Sequence, residues 1–70
     1  MKRSTVMKTV KRAARDQNLD FEVVELTRHS AVRVGRTVRT IGRHGEIDDV
    51  TARKFFDQFA EEFGGKGWWR

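Results

Sequence analysis

The chain contains no cysteine. Disulfides and thiolate metal sites are therefore excluded, and the composition fits a reducing compartment. It also contains no proline, so nothing in it forces a kink or a cis turn. No apolar run approaches the ~20 residues needed to span a bilayer. The basic N-terminal segment lacks an apolar stretch behind it, so no signal peptide is expected and the default location is cytoplasmic. No phosphate-binding loop, dinucleotide fingerprint or Ser/Cys nucleophile motif is present. There are no internal repeats.

What is present is positive charge. Fifteen Lys and Arg stand against ten Asp and Glu, a formal net charge of +5, with a pI of about 10.5. Such an excess favours polyanionic partners, above all nucleic acid, through counterion release. The 70 residues suffice for one small domain with a modest core.

Residues 1–17 read as a helix that Ser4 or Thr5 can cap. Val6, Val10, Ala13 and Ala14 recur at helical spacing, with Met7 at the edge of the stripe. Lys8, Lys11, Arg12 and Arg15 fall on the opposite face. Asn18, which tolerates the left-handed conformation, ends the helix. Three β-branched segments come next: 21–26, 29–34 and 37–41. Gly35-Arg36 is a two-residue link whose glycine suits a hairpin with positive φ at the first turn position. Val38 and Ile41 cannot both face inward on a regular strand, so a bend or bulge is expected near Gly42. Residues 42–47 form a loop. Asp48 or Asp49 caps a further helix, in which Ala52, Phe55, Phe56, Phe59 and Phe63 make an aromatic stripe. Gly64-Gly65 closes it.

Three strands offer one sheet face to two helices that each have a single apolar stripe. The expected fold is therefore α+β, in two layers of α-β-β-β-α order. A three-stranded antiparallel sheet carries both helices on one face, as in double-stranded-RNA-binding domains. Residues 1–63 make the domain and 64–70 a short C-terminal tail. Trp68 and Trp69 have two available roles, stacking on bases and enlarging the core; packing is expected for at least one.

Side chains alternate along a strand, so His29, Ala31 and Arg33 share one face while Ser30, Val32 and Val34 share the other. The valines belong in the core, which puts His29 and Arg33 on the open face. Arg28, Arg36, Arg39, Arg43 and His44 join them as candidate RNA-binding residues on that face and its rim. Arginine suits bidentate phosphate recognition. RNA cleavage needs a base for the 2′-OH, an acid for the leaving oxygen and positive charge on the phosphorane, so His29 is the candidate catalytic group and His44 the second. The bland alternative is a solvated hairpin whose basic residues discourage edge pairing. His44, Glu46, Asp48 and Asp49 lie close in sequence, but acidic residues there are better explained as helix caps than as metal ligands. Neither a metal nor another cofactor is expected.

The chain as a whole resembles HicA-type toxins of bacterial toxin–antitoxin systems. The features that carry the resemblance are the basic first helix, Arg28-His29-Ser30 opening strand two, Thr40-Ile41-Gly42-Arg43-His44-Gly45-Glu46-Ile47, Thr51-Ala52-Arg53-Lys54 entering the last helix, and the ending Gly67-Trp68-Trp69-Arg70. The resemblance implies a double-stranded-RNA-binding-domain fold and an mRNA interferase that cleaves RNA without a metal. It also implies His29 as the catalytic histidine and neutralisation by a HicB-type antitoxin. Two places depart from the family pattern. Leu26-Thr27-Arg28 stands where members have a glycine shortly before the histidine, and Gly42 stands where they have proline. Two other functions are compatible with the residues: a non-catalytic RNA- or DNA-binding module, and a protein-interaction domain whose open face, with Val24 and Leu26, docks an acidic partner.

Overall fold

A computed structural model describes all 70 residues. Its elements are α1 (Arg3–Asp16), β1 (Phe21–Glu25), β2 (His29–Val34), β3 (Thr37–Gly42), α2 (Asp49–Asp57) and α3 (Ala60–Phe63). The strands form one antiparallel sheet in the order β1-β2-β3. The helices share a single core with one sheet face. Val6, Val10 and Ala14 of α1 meet Val32, Val34 and Ile41 of the sheet and Ala52, Phe55, Phe56, Phe59 and Phe63 from the C-terminal half. This is the α+β two-layer arrangement anticipated from the periodicities. No helix is long and apolar enough to cross a membrane.

The ends of α1 show how local chemistry sets boundaries. Neither Ser4 nor Thr5 caps it: both lie inside the first turn, and the cap position is Lys2, with no side-chain cap. A tertiary contact replaces the expected cap. The Arg3 N–H donates to the Gly45 carbonyl at 2.9 Å, the Ile47 N–H donates to the Met1 carbonyl at 2.8 Å, and Lys2 pairs with Glu46 in an isolated β-bridge. An orphan N–H of the first turn is thus satisfied by the segment after β3. The other end obeys the sequence. Asn18 takes φ 56°, the Asn18 N–H bonds to the Arg15 carbonyl and the Leu19 N–H to the Ala14 carbonyl. These are the two bonds of a Schellman motif.

Gly35 has φ 57° while Arg36 stays at negative φ, as a two-residue hairpin link requires. The bulge expected near Gly42 is absent: β3 pairs regularly with β2 from Thr37 opposite Val34 to Gly42 opposite His29. The conflict between Val38 and Ile41 is resolved by leaving Val38 outside, 48% exposed. Thr37 takes the inward position instead. Its hydroxyl donates to Glu62 Oε2 at 2.8 Å, so burying it leaves no unpaired polar group.

The C-terminal half departs from expectation in one respect and follows it in another. The single expected helix is divided at Gln58–Phe59, where the Phe59 N–H bonds three residues back to the Phe56 carbonyl, a tightening of 3₁₀ type. Phe59 is nonetheless fully buried and packs edge-on against Phe55, centroids 5.2 Å apart. The tryptophans of residues 64–70 pack against the core, as expected for at least one of them. The Trp68 Nε1–H donates to the Phe56 carbonyl at 2.7 Å and the Trp69 Nε1–H to Asp57 Oδ1 at 2.9 Å. The Trp68 ring lies 4.3 Å from that of Phe63. Both indoles therefore enlarge a core too small for aromatic burial from the helices alone, while their N–H groups find acceptors at the end of α2. Asp57 also accepts from the Gly67 N–H, and these bonds hold its carboxyl below the ordinary value of 3.8.

Candidate nucleic-acid interface

Cross-strand register assigns every sheet residue to a face, because directly paired residues point the same way. His29 pairs with Gly42, Ala31 with Val24 and Thr40, Arg33 with Glu22 and Val38. These residues make the open face. Ser30, Val32 and Val34 make the covered one and are fully buried.

His29 is exposed, and no side-chain hydrogen bond orients its imidazole. Its position is fixed from below. Ser30, the next residue, donates to both carboxylate oxygens of Glu25, at 3.0 and 2.9 Å. It accepts from Arg3 Nη2, which also lies 3.4 Å from Glu25 Oε1. Arg43 closes the group: its Nε is 3.0 Å from Glu25 Oε2 and its Nη1 donates to the Leu26 carbonyl at 3.1 Å. One carboxylate thus ties the start of α1, both ends of the β1–β2 turn and the segment after β3. The hydrogen bonds from Ser30, with Arg3 and Arg43 adding charge, hold the Glu25 carboxyl below the ordinary value of 4.5, against partial desolvation. The turn that carries His29 is thus anchored at both ends by charge-assisted bonds.

Gly42, opposite His29, has a specific use. A Cβ at this position would sit 3.2 Å from Cδ2 of His44, tighter than ordinary contact. The imidazole of His44 therefore occupies the space beside Gly42 that a side chain would take. The two histidines of the chain are placed at the same end of the sheet: His29 pairs with Gly42 across the strands, and the His44 ring lies beside Gly42. Arg28 is exposed in the turn just before His29, and Arg43 follows Gly42 in the chain with its guanidinium held on Glu25.

The remaining arginines are elsewhere. Arg33 shares the open face with His29, but four strand residues separate them, roughly 13 Å. It is also engaged: Glu22 lies 3.6 Å away, Asp20 lies 4.0 Å away, and its Nη1 donates to the Gly35 carbonyl at 2.8 Å. Arg36 sits in the β2–β3 turn at that far end. Arg39 pairs with Val32, so it belongs to the opposite face, at the exposed edge of β3. The candidate arginines therefore form two groups and an outlier, because two-residue alternation reports the face of a strand but not the separation along it or the partners that neutralise a charge.

No three His, Asp or Glu side chains converge as a metal-binding group. Asp48 instead caps α2, accepting from the Thr51 N–H at 3.1 Å and the Thr51 hydroxyl at 2.6 Å. Those bonds keep its carboxyl below 3.8.

Cations on α1 were outside the expected site, although the sequence carries a signal for them. Residues 1–15 hold six of the fifteen basic residues and none of the ten acidic ones, a charge of +6; residues 16–70 hold nine and ten, a charge of −1. Lys8, Lys11, Arg12 and Arg15 line a shallow groove of about 210 Å³ to which no other residue contributes. None of the four forms an ion pair, whereas Arg3, Arg33 and Arg43 all do.

No family model, no curated protein and no solved structure matches this chain.

Proposed function

We propose that the protein is a metal-independent ribonuclease of the HicA type, an mRNA interferase toxin acting in the cytoplasm. The observation that supports this most is the pair His29 and His44 flanking Gly42 at an open, arginine-bordered end of the sheet. In the proposed reaction one imidazole takes the proton of a ribose 2′-OH as its oxygen attacks the adjacent phosphorus. The other gives a proton to the departing 5′-oxygen, leaving a 2′,3′-cyclic phosphate and a free 5′-OH. Arg28, which has no carboxylate partner, stabilises the charge of the phosphorane. A HicB-type antitoxin would neutralise the toxin by covering the open face. Val24, Leu26 and Val38, each 46–49% exposed, give such a partner apolar surface to bury.

The test is cleavage of single-stranded RNA in EDTA. The expected result is cutting by the wild type, none by His29→Ala, and a strong reduction in His44→Ala. Cleavage that survives His29→Ala, or that requires Mg²⁺, overturns the assignment. A second reading, a non-catalytic nucleic-acid-binding module, draws on the unoriented His29 imidazole and the engagement of Arg33 by Asp20 and Glu22. It predicts salt-sensitive binding with no cleavage by any variant.

A further inference from the structure

We infer that the outward face of α1, through Lys8, Lys11, Arg12 and Arg15, is the principal binding surface for the phosphodiester backbone of nucleic acid. It is separate from the sheet face that carries His29. The inference goes beyond the ribonuclease reading and does not depend on cleavage.

Three observations carry it. The net positive charge of the chain resides in residues 1–15, and residues 16–70 are slightly acidic. Counterion release depends on cations free to meet phosphates, and these four have no carboxylate partner; Arg33 and Arg43 do, and the unpaired Arg28, Arg36 and Arg39 stand apart in the two turns and on β3. The third is geometry. The four positions have i, i+3, i+4, i+7 spacing and lie on one side of the helix. They span roughly 10 Å of its axis, a length over which a duplex strand carries about three phosphates. The opposite side of α1 is spent on the core, since Val6, Val10 and Ala14 have no exposed surface. That argues for nucleic acid over an anionic bilayer: α1 has no free apolar face to insert among lipids. Contacts made by four cations to backbone oxygens hold register without reading bases, so the surface is indifferent to sequence and to the 2′-OH. Because α1 covers one sheet face and His29 stands on the other, a bound strand must pass around the molecule to engage both.

The experiment uses the full chain and a fluorescein-labelled 20-nucleotide single-stranded DNA. DNA presents the same backbone and lacks the 2′-OH needed for cleavage, so failure of the ribonuclease reading leaves this test untouched. Binding is monitored by anisotropy over a salt series for wild type, for Lys8→Gln/Lys11→Gln/Arg12→Gln/Arg15→Gln, and for Arg28→Gln/Arg36→Gln/Arg39→Gln. All substituted positions are exposed and glutamine is a good helix former, so the α1 variant is expected to keep its helical circular dichroism. Its affinity should fall at least tenfold, and its salt slope should shrink by about 3, four contacts at ~0.7 each for a single strand. The sheet-side variant should lose less on both counts. Wild-type-like binding by the α1 variant overturns the inference. So does a larger loss in the sheet-side variant, or wild-type protein that binds vesicles rich in phosphatidylserine but not DNA. Should the α1 variant misfold, amide shifts of the wild type on adding DNA decide: perturbation centred on residues 8–15 supports the inference, and perturbation centred on the sheet overturns it.

Discussion

The two faces of the sheet are made by alternate residues of the same three strands, and they have opposite fates. One presents Ser30, Val32, Val34, Thr37 and Ile41, all buried beneath the helices. The other presents Val24, Val38, His29 and Arg33 to solvent or partial exposure. Their compositions overlap, with valine and a hydroxyl residue on both. What separates them is the completeness of the partners. On the covered face both buried hydroxyls are answered, Ser30 by Glu25 and Arg3 and Thr37 by Glu62, and one buried atom of the network, Arg3 Nε, has no partner. On the open face the His29 imidazole has no hydrogen-bond partner and Val24 and Val38 have nothing over them. A face that is satisfied contributes stability; one that is not is available for binding.

The largest test of this contrast is Phe59→Ala. Phe59 is fully buried between the helical layer and the covered face, and truncating such a residue costs roughly 3–5 kcal/mol. That is a large part of the stability of a small domain. Its thermal midpoint should fall by at least ~10 °C. A negligible change would mean that the covered face is not the core.

Ser30→Ala probes polar completeness. It removes the buried hydroxyl that joins Arg3 to Glu25 and leaves those two paired with each other, so the cost is that of one hydrogen-bonding group, roughly 0.5–1.5 kcal/mol. A pH signature should accompany the loss. The folded Glu25 carboxyl lies below its ordinary value of 4.5, so the unfolded chain binds its proton first. Its stabilisation is present above pH 4.5 and is lost as pH falls through the lower folded value. Because Ser30 is the main cause of the depression, denaturant midpoints of Ser30→Ala measured from pH 7 down to 3 should show a shallower acid limb than wild type. An unchanged limb would remove Glu25 from its central place in the network.

The smallest effect is expected on the open face. Val24→Thr with Val38→Thr replaces two half-exposed valines by β-branched residues of similar shape, and the unfolding free energy should stay within about 0.5 kcal/mol. A destabilisation comparable to that of Phe59→Ala would show that this face is buried in solution, for instance against a second copy of the chain.

Much of this arrangement was legible in the residues. Helical spacing marked Val6, Val10 and Ala14 and the phenylalanine stripe as core, and period-two alternation put His29 opposite Val32 and Val34. Asn18 and Gly35 marked two of the backbone reversals with positive φ. These readings hold because they rest on properties of consecutive residues. The false ones concern long-range partners. Ser4 and Thr5 looked like caps, yet Gly45, far away in sequence, satisfies the start of α1. The phase of β3 was open between Val38 and Ile41, and a bulge looked necessary, yet the strand stays regular with Thr37 buried because Glu62 accepts the hydrogen bond of its hydroxyl. The arginines looked like one cluster, yet Arg33 is taken by Asp20 and Glu22, and only the pairing register separates it from His29.

The amino-acid sequence by itself determined the order of elements, which stripe of each helix is apolar and where the net charge lies along the chain, because periodicity, turn chemistry and charge count are local quantities. Tertiary structure alone decided which charges are free and which are paired, that His29 and His44 each neighbour Gly42, and that the two tryptophans close the core. Each of those depends on distances between segments brought together by burial of apolar surface, a driving force that is non-directional. The layers it brings together are specified by the stripes, and the polar contacts at their margins are specified only once the layers have packed.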